Sequence, residues 1–352
     1  MADDLLHGGA LDRVRRDFPD APAPWVDLST GINPWPWPAP APSPESLRRL
    51  PPRSAFEACS EAMATAFGAP REAVLPVPGT ELVIRLLPLV LDARRVAALA
   101  PSYADHARAW RAHGRAVLET ARPLERAGSA DVVVVTSPNN PDGRRFGVDA
   151  LEAARATLAA RGGTLVVDEA YADLDPTAGA SRLAGRPGLV VLRSAGKFFG
   201  LAGLRLGAVL APRAALERLA SLLGVWSVSG PALELGTAAY RDARWQAATR
   251  SRLRSARASL DAALAGTGAE IVGGTDLYRF VAVRDASAAW RALAGRGVYV
   301  RRFDWSGTRL RLGLPPDAAA RERLRAALVG ALAPDGASAS LDRPTAPGRA
   351  RP

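Results

Sequence analysis

Short apolar runs alternate with longer amphipathic stretches through the middle of this chain of 352 residues. Four of the runs are rich in β-branched residues and have the length of buried strands, namely residues 96–99, 131–136, 164–168 and 189–192. Helical patterns such as that of residues 148–160 lie between some of them. Strands that alternate with helices usually form a mostly parallel sheet with helices on both faces. The pattern therefore predicts an α/β fold.

The pattern changes on either side of this region. Residues 1–45 are rich in Pro, Trp and Gly, and residues 34–38 read Pro-Trp-Pro-Trp-Pro. Because proline lacks a backbone N–H and fixes φ, this stretch excludes a regular helix or a central strand and predicts an extended arm. A helical pattern over residues 44–67 and a further strand over residues 205–210 complete a predicted large domain, residues 46–225.

A smaller α+β domain is predicted for residues 226–333. There, a long helix rich in Ala, Arg and Leu leads to three short apolar runs, at residues 278–283, 298–301 and 309–312. Residues 334–352 are rich in Pro, Ala, Ser, Gly and Arg. Such a segment cannot bury enough apolar surface to fold, so a disordered tail is predicted.

The chain is basic, with a formal net charge of +11. Such a charge raises nucleic acid as a partner. The arginines are dispersed through helical patterns beside acidic residues, however, as in residues 241–254, and no nucleic-acid-binding motif is recognisable. Solvated arginine-rich faces and a small anionic substrate are the favoured interpretation. A non-catalytic nucleic-acid-binding protein is the remote alternative.

Composition excludes several classes of site. Cys59 is the only cysteine, which rules out an internal disulfide framework and any cysteine-rich metal site. The three histidines, His7, His106 and His113, are too few and too scattered to indicate zinc. There is no run of about 18 apolar residues and no signal-peptide pattern, so we expect a cytoplasmic protein without a membrane partner.

Lys197 is the only lysine among the 46 Lys and Arg residues. A GC-rich genome would explain the arginine bias, but it does not explain the one lysine that remains. Arginine keeps its proton in proteins, whereas a desolvated lysine can lose its proton and attack a carbonyl carbon. The single lysine therefore points to a site at which this chemistry is required.

Polar motifs follow the ends of three predicted strands, at the edge of an open α/β sheet where ligands bind. They are Ser-Pro-Asn-Asn-Pro-Asp-Gly (137–143), Asp-Glu-Ala-Tyr (168–171) and Arg-Ser-Ala-Gly-Lys (193–197), and Gly-Leu-Ala-Gly-Leu-Arg-Leu-Gly (200–207) comes next. Earlier in the chain, Pro-Gly-Thr-Glu (78–81) precedes an apolar helix. The amino terminus of a helix is suited to holding a phosphate.

In this order the motifs resemble those of fold-type I pyridoxal 5′-phosphate (PLP) enzymes of the class I/II aminotransferase superfamily. The resemblance spans residues 79–207, and the terminal motifs extend it over nearly the whole predicted folded chain. It implies a PLP-binding large domain with a smaller α+β domain. It also implies a homodimer, because related active sites lie at a subunit interface.

The resemblance implies a role for each residue that it matches. Lys197 would form the Schiff base with PLP and move protons, Asp168 would pair with the pyridine nitrogen, and Tyr103 would stack on the ring. Asn140 and Tyr171 would hydrogen-bond the phenolic oxygen of the ring. The phosphate would be held by Gly79, Thr80, Ser194 and Arg205. Taken singly, each residue has an ordinary alternative; Asp168, for example, could be a helix N-cap.

Two positions depart from the pattern of many relatives. Gly196 precedes the lysine where Ser or Thr is common, so that hydroxyl is missing here. Leu50-Pro51-Pro52 stands where many relatives present a tyrosine to the cofactor of the partner subunit. The effect of both departures on phosphate binding stays open.

The two ends of the chain resemble threonine-phosphate decarboxylases of cobalamin biosynthesis. His7-Gly8-Gly9 and the later Asp-Leu-Ser-Thr-Gly-Ile-Asn-Pro (27–34) resemble the opening of that family. Gly-Val-Tyr-Val-Arg (297–301) and Leu-Arg-Leu-Gly-Leu-Pro (310–315) resemble two strands near its other end. Histidinol-phosphate aminotransferases, which are close relatives, share the Asn-Pro but usually lack His-Gly-Gly.

This second resemblance implies decarboxylation of L-threonine O-3-phosphate to (R)-1-aminopropan-2-yl phosphate and CO₂. Arg311 would bind the substrate carboxylate, because a planar guanidinium matches a carboxylate through two hydrogen bonds. Arg309, on the same strand face, is the alternative. The remaining substrate contacts would come from His7 and Arg301 at the phosphate and from Asn33 and Asn140.

The motifs leave the reaction and the substrate open. In PLP enzymes the bond that breaks is the one held perpendicular to the ring, so the same residues can serve decarboxylation or transamination. The second interpretation is therefore a histidinol-phosphate aminotransferase or a related aminotransferase. Phosphoserine differs from threonine phosphate by one methyl group, which is worth only about 1–3 kcal/mol of discrimination.

Overall fold

The structure is a computed structural model that describes residues 8–332 and contains two β-sheets. In chain order the strands are β1 (Val26–Leu28), β2 (Val74–Val77), β3 (Arg95–Leu99), β4 (Ala116–Thr120), β5 (Val132–Thr136), β6 (Thr164–Asp168), β7 (Leu189–Ser194), β8 (Gly207–Leu210), β9 (Glu270–Thr275), β10 (Tyr278–Ala282), β11 (Val298–Arg302) and β12 (Arg309–Gly313). The α-helices are α1 (Leu11–Asp17), α2 (Pro44–Arg48), α3 (Arg53–Phe67), α4 (Thr80–Val90), α5 (Asp105–Ala112), α6 (Val148–Ala159), α7 (Arg213–Leu223), α8 (Gly230–Arg241), α9 (Ala243–Leu264), α10 (Ala286–Ala294) and α11 (Ala318–Leu332).

The larger sheet has seven strands in the order β2-β8-β7-β6-β5-β3-β4. The five strands β3, β4, β5, β6 and β7 are mutually parallel, and β8 runs antiparallel to both of its neighbours. Because β5, β6 and β7 are parallel and adjacent, their carboxyl ends lie at the same edge of the sheet. Thr136 is directly opposite Asp168, and Asp168 is opposite Leu192.

Helices cover both faces of this sheet. Val133 and Val135 of β5 pack with apolar residues of α3, α6 and α8 on one face. Val132 and Val134 pack with residues of α4, α5 and α7 on the other face. Successive side chains of a strand point to opposite faces, so a strand covered on both sides is apolar throughout. The α/β fold predicted from the sequence is confirmed.

The smaller sheet has five strands in the order β1-β11-β12-β10-β9. Its strands are antiparallel except at one edge, where β1 runs parallel to β11, with Val26 opposite Val298. Helices α10 and α11 pack against β11. The first part of the chain thus completes the sheet that the last part builds.

The predicted extended arm over residues 1–45 contains more regular structure than expected. The structure has helix α1, whose Val14 is fully buried against Ala294 and Tyr299, and it has strand β1. Three residues at a sheet edge make too short a pattern to be recognised from sequence. The Pro-Trp-Pro-Trp-Pro stretch itself, residues 34–38, contains neither helix nor strand, as expected.

Other differences from the prediction have local causes. The helical pattern over residues 44–67 is two helices, because Pro51 and Pro52 interrupt it between α2 and α3. Strands β2, β4 and β9 were not predicted. The first contains Pro76, the second is largely exposed, and the third contains two glycines, so none shows the pattern of a buried strand.

Three further expectations from the sequence concern a membrane-spanning helix, the carboxyl-terminal tail and the domain boundaries. Within residues 8–332 no helix is long and apolar enough to span a membrane. The tail expected over residues 334–352 lies outside the described part. The domain boundaries at residues 45, 225 and 333 remain predictions.

A buried ion cluster supports the end of β7, directly before the segment that carries Lys197. Arg193 is only 2% exposed and donates to Glu169 Oε2 (3.1 Å) and to Ser181 Oγ (3.1 Å). Its other terminal nitrogen donates to Asp173. The guanidinium also lies over the ring of Phe67, 4.3 Å from the centroid. These contacts satisfy a buried charge that would otherwise be costly.

Replacement of Arg193 by Ala leaves two buried carboxylates without their cation. We expect Arg193→Ala to lower the free energy of unfolding by about 3–5 kcal/mol, as measured by urea denaturation. The matched control is Arg213→Ala, which removes an exposed ion pair with Glu217 and should leave stability nearly unchanged. Equal losses in the two variants would contradict a supporting role for the buried cluster.

Candidate active site

A cavity of about 550 Å³ lies where the carboxyl ends of β5, β6 and β7 meet the smaller sheet. It is lined by eleven of the thirteen predicted site residues: Gly79, Thr80, Tyr103, Asn140, Asp168, Tyr171, Ser194, Lys197, Arg205, Arg301 and Arg311. Asn33 does not line it. His7 lies outside the described residues.

Asp168 ends β6 and is only 4% exposed. Its Oδ2 lies 2.9 Å from His106 Nε2, and its Oδ1 accepts a hydrogen bond from the backbone N–H of Ala170 (3.0 Å). His106 is itself buried, so this contact is shielded from water. The two hydrogen bonds hold the carboxylate in one orientation at the cavity wall.

His106 was not among the predicted site residues. It lies in the first turn of α5, three residues after Tyr103, which precedes the helix. The rings of Tyr103 and His106 meet edge to face, with centroids 6.1 Å apart. The signal in the sequence was therefore the spacing from Tyr103, and only the fold brings His106 to Asp168.

Lys197 lines the cavity from the loop that follows β7. This loop is held by the arm, since the backbone N–H of Asn33 donates to Lys197 O (3.0 Å) and Asn33 Nδ2 donates to Phe198 O (2.9 Å). Asn33 Oδ1 accepts from the backbone N–H of Trp35 (2.9 Å). The amide group of Asn33 thus positions the lysine loop, and its contact with the substrate stays a prediction.

A cradle for an anion lies at the amino terminus of α4. Gly79 has a φ of +82°, and a Cβ built there would come within 2.7 Å of Arg205 Nη2. At Gly207, a Cβ would lie 3.2 Å from the backbone nitrogen of Thr80. Only glycine leaves room for a ligand atom between the guanidinium and the first helical amides.

The cradle also accounts for the absent hydroxyl at residue 196. Ser194 Oγ accepts a hydrogen bond from the backbone N–H of Gly196 (3.2 Å) and lines the cavity. A Cβ at Gly196 would lie only 3.3 Å from Ala202 Cα, so a larger residue would crowd this turn. Ser194 thus supplies the hydroxyl that residue 196 does not.

Tyr103 is fixed through its hydroxyl, which donates to Glu81 Oε2 (2.7 Å). Glu81 is also paired with Arg85 (2.8 Å) one turn along α4. Burial, together with the negative charge of Glu81, raises the pKa of Tyr103 far above its ordinary value. The ring is therefore neutral at physiological pH and is anchored at its far end.

Two guanidinium groups enter the cavity from the smaller sheet. Arg301 of β11 and Arg311 of β12 are directly opposite one another in the antiparallel pair. Arg311 is 6% exposed and donates from Nη1 to Asn140 Oδ1 (2.6 Å) and from Nη2 to Ser29 O (2.6 Å). Burial and the positive charge of Arg311 lower the pKa of Arg301 to about 10.

The structure separates Arg311 from its alternative, Arg309. The side chain of Arg309 donates to Thr308 O (3.3 Å) and Thr308 Oγ1 (3.2 Å) in an exposed environment. It does not line the cavity, whereas Arg311 does. Position along the strand decides this, because Arg309 begins β12 and Arg311 lies at its buried centre.

Further residues of the cavity wall were not singled out in the sequence. They are Gly8, Thr30, Gly31, Glu81, Ile84, Ser102, Ala104, Arg108, Thr136, Ala170, Leu206, Phe303, Asp304 and Trp305. At Gly31 a Cβ would lie 2.6 Å from Tyr171 Oη, so a larger residue would displace the tyrosine. Six of them stand within the motifs described above without a role assigned to them, namely Gly8, Thr30, Gly31, Glu81, Ala170 and Leu206. The other eight lie outside those motifs.

These residues fit PLP. The cavity holds the sole lysine, a buried and oriented carboxylate at Asp168, and a glycine-lined cationic cradle at Gly79 and Arg205. An ionised carboxylate suits a protonated pyridine nitrogen, and the cradle suits a phosphate.

Comparison with known proteins decides the family. The sequence profile described as aminotransferase class I and II matches residues 38–328. The chain belongs to this family. The motifs predicted a class I/II aminotransferase fold of type I with PLP as cofactor. Membership of the family confirms both the α/β fold and the cofactor.

Similarity to individual proteins extends over nearly the whole chain. A threonine-phosphate decarboxylase of Pseudomonas aeruginosa is 42% identical over 328 residues, which are 93% of this chain and 98% of that protein. A threonine-phosphate decarboxylase of a Sinorhizobium species is 41% identical over 94% of this chain and 99% of that protein.

A solved structure has the same fold. The histidinol-phosphate aminotransferase from Sinorhizobium meliloti, in complex with pyridoxal 5′-phosphate, superposes with a TM-score of 0.78. The superposition covers 94% of this chain and 96% of that one at 18% identity. At this identity the likeness concerns the fold alone.

His106 should matter for cofactor binding and turnover through Asp168. We expect His106→Ala to lower kcat and PLP affinity by about 10- to 100-fold, because a hydrogen bond to a buried charged group is lost. His113→Ala is the matched control, since His113 lies at the other end of α5, where its Nδ1 is 2.9 Å from the backbone oxygen of Ala109. Equilibrium dialysis with PLP measures the affinity, and equal effects in the two variants would contradict the role.

Proposed function

We propose that this enzyme is a PLP-dependent decarboxylase that converts L-threonine O-3-phosphate into (R)-1-aminopropan-2-yl phosphate and CO₂ in cobalamin biosynthesis. The observation that carries the proposal is the pair Arg301 and Arg311, which face one cavity from adjacent strands. The cavity has a separate cationic cradle at Arg205. A substrate with two anionic groups, besides the cofactor phosphate, matches this arrangement. The names of the two decarboxylase relatives agree with it.

PLP, when bound, acts as an electron sink for the electron pair that remains on the substrate Cα when CO₂ leaves. Lys197 would hold the cofactor covalently in the resting enzyme and, once the substrate amine has displaced it, would supply a proton to that carbon. Asp168, oriented by His106, would keep the pyridine nitrogen protonated. Tyr103 would cover the ring face, and Asn140 and Tyr171 would hydrogen-bond the phenolic oxygen.

Arg311 binds the substrate carboxylate. Both terminal nitrogens of its guanidinium donate hydrogen bonds, one to Asn140 Oδ1 and one to Ser29 O. These bonds define the plane of the guanidinium before the substrate binds. Each of these nitrogens carries a second N–H that can bind an oxygen of the carboxylate. A preset plane orients the carboxylate relative to the ring and thereby selects the bond that breaks.

Arg301 and His7 bind the substrate phosphate. With its pKa lowered to about 10, Arg301 still carries its proton at neutral pH. The substrate dianion would offset the repulsion between Arg301 and Arg311. Arg108 lines the same cavity from α5 and adds positive potential.

We further propose a cytoplasmic homodimer. Leu50, Val225 and Trp226 are more than half exposed. Large apolar side chains of this kind are typical of a subunit interface. The substrate is a small phosphorylated amino acid, and no nucleic-acid or membrane partner is proposed.

An aminotransferase reaction is the second candidate. A histidinol-phosphate aminotransferase of Mycobacterium bovis is 33% identical over 77% of this chain. The residues at Lys197, Asp168 and Arg205 would serve that reaction equally well. Phosphoserine is a second candidate substrate.

A turnover assay separates the candidates. Purified holoenzyme is incubated with threonine phosphate, with phosphoserine and with histidinol phosphate, each with and without 2-oxoglutarate. We expect CO₂ release from threonine phosphate without any need for 2-oxoglutarate. Rapid glutamate formation without CO₂ would instead establish an aminotransferase.

Arg301 should contribute mainly to substrate affinity. We expect Arg301→Gln to raise the KM for threonine phosphate by about 10- to 100-fold, with a smaller change in kcat, because charge-assisted hydrogen bonds to the phosphate are lost. Arg302→Gln is the control, since Arg302 is adjacent to Arg301 in the chain but donates to Ser287 and does not line the cavity. Wild-type KM should also rise as the pH passes through about 10, where Arg301 loses its proton. A KM unchanged in Arg301→Gln would contradict this role.

A further inference from the structure

Ser29 joins two parts of the site that are far apart in sequence. Its side chain is fully buried. The hydroxyl donates to Asp27 Oδ1 (2.6 Å) and accepts a hydrogen bond from the backbone N–H of Gly9 (2.8 Å). Its carbonyl oxygen accepts from Arg311 Nη2 (2.6 Å). One residue thus contacts both the amino-terminal segment and the guanidinium that enters the cavity.

The segment around Gly8 and Gly9 packs closely on Ser29. A Cβ built on Gly8 would lie 2.3 Å from Ser29 O and 2.7 Å from its carbonyl carbon. The atom that a side chain at Gly8 would strike is therefore the same oxygen that holds Arg311. Gly8 itself lines the cavity.

Asp27 makes this arrangement rigid. Its Oδ1 accepts from both the backbone N–H (2.9 Å) and the hydroxyl of Ser29. Asp27 lies in β1, opposite Tyr299 of β11, so the turn is tied to the smaller sheet. The Ser29 carbonyl is consequently fixed relative to β11 and β12, which carry Arg301 and Arg311.

We propose that Ser29 is a positioning residue that couples the amino-terminal segment to Arg311. Its hydroxyl holds Gly8 and Gly9 at the cavity wall, and its carbonyl sets the plane of the guanidinium. The proposal rests on the proposed function, in which Arg311 binds the substrate carboxylate. It adds that the position of the amino-terminal segment influences which bond of the substrate breaks.

Two substitutions separate the two contacts of Ser29. Ser29→Ala removes the hydroxyl that holds Gly9 and keeps the carbonyl that holds Arg311. Gly8→Ala keeps the hydroxyl but forces a side chain against the carbonyl. Ser287→Ala is the matched control. Ser287 lies in α10, and its hydroxyl accepts a hydrogen bond from Arg302 (3.1 Å), which does not line the cavity.

Hydrogen exchange gives a readout that does not depend on turnover. In wild-type holoenzyme the Gly9 amide should be protected, and in Ser29→Ala it should exchange about 10-fold faster or more. The same variant should show a KM for threonine phosphate raised about 10-fold with little change in kcat. Ser287→Ala should match the wild type in both measurements.

Gly8→Ala tests the second contact. Displacement of the Ser29 carbonyl should tilt Arg311, and we expect the ratio of CO₂ released to amino groups transferred to 2-oxoglutarate to fall by about 10-fold. Gly8 is only partly buried, so this variant provides a second test if Ser29→Ala, at a fully buried position, does not fold. Melting temperatures of all variants identify any general loss of stability.

The outcomes distinguish the two proposals. Wild-type exchange at Gly9 and wild-type KM in Ser29→Ala, or an unchanged product ratio in Gly8→Ala, would overturn the coupling. Absence of CO₂ release by the wild type would overturn the proposed function. In that case exchange at Gly9 and the KM for glutamate as amino donor still decide whether Ser29 couples the segment to Arg311.

Discussion

The buried carboxylate of Asp168 is the constraint on which the rest of the site depends. A carboxylate removed from water is costly unless it is hydrogen-bonded, and here His106 and the Ala170 amide provide the bonds. To do so, the first turn of α5 must reach the end of β6, and Tyr103 lies two residues before this helix begins. Tyr103, which is proposed to cover the cofactor, is thus positioned beside α5, the same helix whose His106 orients Asp168.

A second constraint comes from charge. Arg301 and Arg311 are like charges on opposite positions of two strands, an arrangement that is unfavourable without a counterion. Burial adds to the cost and lowers the pKa of Arg301. Such a pair is suited to binding anionic groups, and Asn140 and Ser29 fix the orientation of the Arg311 guanidinium.

Much of this was accessible from the sequence. The buried strands β3, β5, β6 and β7 are continuous apolar runs, and the polar motifs that follow them had to meet at one edge. The roles of Lys197 and Asp168 came from motif resemblance and agree with their places in one cavity. Strand β1 was missed because three residues make too short a pattern, and β4 was missed because it is largely exposed. The sequence did not show that the amide group of Asn33 binds the backbone of the lysine loop, because that contact joins residues far apart in the chain.

The sequence by itself determined the fold class, the family and the cofactor, and it identified eleven residues of the cavity, because short motifs at strand ends carry that chemistry locally. Only the tertiary structure decided how those residues are held. His106 reaches Asp168 across 62 positions and Ser29 reaches Arg311 across 282. The choice of Arg311 over Arg309 followed from depth along β12 rather than from residue type. Contacts of this range depend on how the two sheets pack, and no local pattern records that packing.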